Sequence, residues 1–95
     1  MSAVKEILSE GGYDSPETLA RDWALMLALS KLEKYKAECD FFEHKYKMNF
    51  EDFETFLHKE KGKEDFEAEE DIEDWEFALK AFQWWEDKIQ EIKNA

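Results

Sequence analysis

Two histidines follow a carboxylate by four residues: His44 after Asp40, and His58 after Glu54. At that spacing each pair shares a helical face, as two ligands of one metal ion would. The same spacing also describes a surface charge pair or hydrogen bond along a helix, and this plainer reading is preferred. The Glu-x-x-His pattern of ferritin-like helical bundles does not occur. Cys39 is the single cysteine. Nothing near it lowers the thiol pKa among so many acids, so a Cys39–His44 nucleophilic pair is disfavoured and Cys39 reads as a small core residue. The acidic run Glu64 to Glu76 lacks the glycine and alternating oxygen ligands of a calcium loop. Walker loops, nucleophile elbows, Cys-x-x-Cys and dinucleotide-binding glycines are missing as well. Carboxylate pairs can be drawn everywhere, so none of them singles out a general acid or base. The expectation is a protein that is not an enzyme, with no cofactor and no metal.

Composition narrows the class. Ninety-five residues make one small domain. The formal net charge is −12, from 25 acidic and 13 basic residues, and it is unevenly spread. Residues 1–47 hold nine acids and seven bases, or −2; residues 48–95 hold sixteen acids and six bases, or −10. Direct nucleic-acid binding needs Lys and Arg to displace counterions, and an anionic membrane repels such a chain. A basic protein is the natural complement. One cysteine permits no internal disulfide, and the N-terminus lacks a signal-peptide core. The apolar run Trp23 to Leu29 is far short of the ~20 residues of a membrane span. A cytoplasmic protein is expected.

The elements follow from periodicity and punctuation. Residues 1–14 form an N-terminal segment in which Ala3 to Ser9 suits a short helix ended by Gly11 and Gly12. Ser15 and Pro16 then read as an N-cap and a first-turn proline. Across 15–47, Leu25, Ala28, Leu32, Tyr35, Cys39, Phe42 and Tyr46 alternate by three and four. Across 64–94 the same alternation runs through Trp75, Ala78, Phe82, Trp85, Ile89 and Ile92, with Phe66 to Asn94 as one helix. Between them, 49–60 reads as a short helix capped by Asn49, with Met48 and Phe53 as a hydrophobic staple. Lys59 and Lys61 suit its negative end, and Gly62 a left-handed cap. The fold predicted is all-α: an antiparallel hairpin of two long helices joined by a short corner helix, plus a short N-terminal helix.

Aromatic residues exceed what one seam can hold. Consecutive helical residues diverge by about 100°, so Phe41 beside Phe42 and Trp84 beside Trp85 cannot both face inward. Phe77, Ala81 and Trp84 form a second stripe, and Trp23, Leu27 and Ser30 another. Either the N-terminal and corner helices cover these stripes, or they are an apolar surface for self-association or a partner. The second reading is preferred.

The runs LEKYKAECDFFEHKYKMNFEDFETFLH and EDFEAEEDIEDWEFALKAFQWWEDKIQEI carry a resemblance. Tyr35, Cys39, Phe42, Glu43, Tyr46, Met48, Phe50 and Phe53, then Asp74, Trp75, Glu76 and Trp85, make the chain from Leu32 to Ile92 resemble small acidic antitoxin-like proteins of prokaryotic toxin–antitoxin loci. Where glycine is expected after Tyr46 the chain has Lys47, which disfavours a left-handed turn there. The resemblance implies binding without catalysis, with a basic toxin as partner. The residues assigned to that interface are Trp23, Leu27, Phe41, Phe77 and Trp84 for apolar contact, with Glu67, Glu70 and Asp74 in the acidic run that steers association. The competing reading is a stand-alone homo-oligomer, two hairpins pairing into a four-helix bundle with a structural or metal-binding role. An acidic surface that mimics a nucleic-acid backbone is a variant of the first reading.

Overall fold

The computed structural model describes residues 2–59 and 65–94. The expected Lys61 and Gly62 features, and the assigned ends at 60 and 64, lie outside the described residues. Four helices follow in order: α1 (Ser2–Glu10), α2 (Pro16–Tyr46), α3 (Phe50–Lys59) and α4 (Phe66–Asn94). The two long helices pack against each other as a hairpin, and α3 packs on α4 at the closed end. Their antiparallel sense is fixed at both ends. Arg21 near the start of α2 donates to the Ile92 carbonyl near the end of α4 at 3.0 Å. Lys45 near the end of α2 reaches Glu67 and Asp71 near the start of α4 at 2.7 and 2.6 Å.

Local chemistry sets each boundary. Ser15 is extended and its side chain accepts from the Thr18 amide at 3.2 Å, so α2 starts on a capped turn followed by Pro16. Asn49 accepts from the Asp52 amide at 2.8 Å and starts α3. Asp65 does the same for Ala68 at 3.1 Å and starts α4. α1 ends in a Schellman arrangement: Gly12 has φ +85°, its amide reaches the Ser9 carbonyl, and the Tyr13 amide reaches the Leu8 carbonyl at 2.8 Å. Between α2 and α3 the left-handed turn is present although a lysine makes it, with Lys47 at φ 55° and ψ 37°. The tight reversal needs that conformation whichever residue stands there.

The core sits where three helices meet. Phe42 of α2, Phe53 of α3 and Ala68 and Trp75 of α4 are buried together, with Cys39, Tyr46, Met48, Phe50, Leu57 and Ile72 packed around them. Trp75 is 1% exposed. Its ring stacks on Phe42 at 5.7 Å between centroids and meets Phe50 edge-on at 5.6 Å. Tyr46 stacks on Phe53 at 4.0 Å. Met48 and Phe53 thus take the staple positions read from their spacing. Farther along the hairpin, Ala28, Ala78 and Ile89 are buried on the seam.

Candidate protein interface

The second stripes lie open. Trp23 is 69% exposed, Leu27 54%, Phe41 59%, Phe77 65% and Trp84 53%. Neither α1 nor α3 covers them. α1 turns its own Val4 and Ile7 to solvent, and its Leu8 is covered where the Tyr13 turn folds back.

The hairpin brings several of these residues to one side. A groove of about 410 Å³ runs between α2 and α4, lined on α2 by Lys34, Tyr35, Glu38 and Phe41 and on α4 by Asp74 and Phe77. Phe77 sits edge-on to Tyr35, 6.0 Å between centroids. From that groove, spacings of three and four continue the face in both helices. On α2 they step from Phe41 through Ala37, Lys34 and Ser30 to Leu27 and Trp23. On α4 they step from Asp74 through Phe77, Ala81 and Trp84 to Lys88. Since the helices are antiparallel and both stripes are offset from the seam in the same rotational sense, they fall on one face of the hairpin. The five apolar residues singled out by their surplus therefore share that face, and Asp74 stands at its edge.

The acidic residues are partly neutralised within the chain. Glu67 and Asp71 share the Lys45 ammonium. Glu76 pairs with Lys80 at 2.8 Å. Glu70 is exposed. Asp71 also accepts a very short hydrogen bond from the Tyr46 hydroxyl. Partial burial pushes the Asp71 carboxyl up, but the hydrogen bonds from Lys45 and Tyr46 outweigh it and hold the carboxyl below its usual range. Burial, then the bond to Asp71, pushes the Tyr46 phenol up to about 12. The Lys45 ammonium is raised by its bonds to Asp71 and Glu67. This triad ties the end of α2 to the start of α4, and the sequence reading missed it. Only the register of one helix on the other reveals it.

Residues with chemistry elsewhere take structural positions. Asp40 pairs with Lys36 at 3.1 Å, one turn before it, where His44 had been the expected mate. The Cys39 thiol is pushed up by burial and by the neighbouring Asp40, Glu43 and Glu38, the opposite of an activated nucleophile. Among the described residues no three His, Cys, Asp or Glu side chains converge as metal ligands. No described helix is long and apolar enough to cross a membrane.

No protein-family model, curated protein or solved structure matches this chain.

Proposed function

We propose that this chain is a non-catalytic protein–protein interaction module of antitoxin type, acting in the cytoplasm on a basic partner protein. The observation that carries it is the open aromatic face of the hairpin, set in a chain of formal charge −12. Tryptophan and phenylalanine are among the residues enriched at protein interfaces. Lone exposed apolar residues need no explanation, whereas five along one face, with Phe41 and Phe77 meeting in one groove, are of the kind that marks a binding surface. Acidic charge at the closed end, around Glu67, Glu70 and Asp74, steers a basic protein toward it.

Two features favour binding over chemistry. Three of the perturbed titrating groups, Lys45, Tyr46 and Asp71, are hydrogen-bonded to one another, and the raised Cys39 thiol is the opposite of an activated nucleophile. The groove beside Phe41 and Phe77 is shallow and lined mainly by apolar and charged side chains, suited to a protruding side chain of another protein. The test is co-purification of the full-length chain from its native host at low and high salt, with partners identified by mass spectrometry. A small basic protein held at low salt and released at high salt is expected. Recovery of this chain alone at both salts would sink the reading.

A further inference from the structure

Resting on the reading of a basic protein as partner, we infer that the groove between Phe41 and Phe77 seats one arginine side chain of that protein, its guanidinium held by Glu38 and Asp74.

The four corners of the groove alternate in chemistry. Glu38 and Phe41 stand three apart on α2, and Asp74 and Phe77 three apart on α4, so each pair shares a helical face. The two helices run in opposite senses. The register that sets Tyr35 on Phe77 and Phe42 on Trp75 therefore places Phe41 opposite Asp74 and Glu38 opposite Phe77. All four line the same groove of about 410 Å³. The two acids lie on one diagonal and the two rings on the other.

That pattern rejects most side chains. An aliphatic or neutral aromatic group would cover both carboxylates and strip their water without replacing it. An acidic group would be repelled. Lysine brings a compact, strongly hydrated charge with no plane to lay on a ring. Arginine meets every corner. Its planar guanidinium stacks on aromatic rings, its fork of donors reaches carboxylates on two sides, and its stem is apolar.

The groove already holds a cation of its own chain against a ring. The Lys34 Nζ lies 5.1 Å from the centre of the Tyr35 ring, on the groove wall. Among the described residues neither Glu38 nor Asp74 forms an ion pair, whereas Lys45 and Lys80 take up Glu67, Asp71 and Glu76. The charge of Glu38 and Asp74 is left for a ligand, with aromatic surface beside it.

Amide NMR of the full-length protein tests this, with an acetylated tetra-arginine amide and the tetra-lysine peptide of equal charge as probes. The arginine peptide is expected to shift the Glu38, Phe41, Asp74 and Phe77 resonances. It should bind about threefold tighter than the lysine peptide, the worth of an exposed cation–π contact. Glu38→Gln combined with Asp74→Asn is expected to weaken arginine binding about tenfold with unchanged circular dichroism. Glu86→Gln combined with Asp87→Asn removes the same charge from exposed positions toward the open end. That variant should stay within about twofold of the wild type, since screening isolates distant charges. Equal affinity for the two peptides, shifts confined to Glu67 to Asp71, or equal losses in the two double variants would overturn the arginine seat. Salt-dependent co-purification reads the partner separately: a basic protein recovered without an arginine preference sinks the seat and leaves the broader reading standing.

Discussion

The tightest points of the molecule are single residues at the closed end. Trp75 of α4 is surrounded by Phe42, Tyr46, Phe50 and Phe53, drawn from the other two helices of the core. Trp75→Ala is expected to cost about 3–5 kcal/mol, the loss of a fully buried indole plus the cavity it leaves, measured by urea denaturation. Asp71 is a polar counterpart. Its lowered carboxyl contributes stability that is present at neutral pH and is lost in acid, as the pH falls past the ordinary carboxylate range and through its lower folded pKa. Asp71→Asn is expected to destabilise the neutral protein by about 1–2 kcal/mol through the charge-assisted bonds to Lys45 and Tyr46. Its deficit should shrink toward zero in acid, as denaturation curves across pH would show. The alkaline limb has the opposite sign. The Tyr46 phenol is raised from 10.0 to about 12, so its contribution is whole below pH 10 and fades as the pH climbs through 12. Tyr46→Phe should remove the phenolate absorbance step at about 12.

The helices owe their limits to caps and their pairing to seams. Ser15, Asn49 and Asp65 each supply a side-chain oxygen to an amide three residues on, which fixes where α2, α3 and α4 begin. Ser15 and Asn49 are legible as caps because each stands just before a periodic apolar stretch. Asp65 is hidden within a run of acids, any of which could cap. The turn after α2 runs against its own sequence, since Lys47 holds a left-handed conformation that glycine adopts without strain. Lys47→Gly is expected to raise stability by about 0.5–1 kcal/mol, the relief of that strain less the added freedom of the unfolded chain. An unchanged or lower denaturation midpoint with the same slope would show that the lysine stem compensates.

At the scale of the whole chain the protein is a rod. Its radius of gyration is 20.2 Å and its extents are 67 × 23 × 19 Å. A compact domain of this length has a radius near 12 Å. So thin a body has a large surface for its volume and no second layer, which is why the aromatic surplus stays outside. Replacing Trp84 by Glu should change folding stability by no more than about 0.5 kcal/mol, as expected at an exposed site, while abolishing association. The association rate with a basic partner should fall steeply as salt is added.

The amino-acid sequence alone determined the helices, the Ser15 and Asn49 caps and the inward seam, because each depends on neighbours within a turn or two of the same helix. It also showed that aromatic residues remained after the seam was filled. Tertiary structure decided the rest. Whether Trp23, Leu27, Phe41, Phe77 and Trp84 would be covered depended on the direction α1 leaves its Schellman turn and on how far α3 reaches. That the leftover stripes of two helices share one face depended on their antiparallel register, which Arg21, Lys45 and Tyr35 report across the seam. Periodicity within a helix carries no record of the angle at which its neighbour arrives, so the open face could be counted from the sequence but located only in the folded chain.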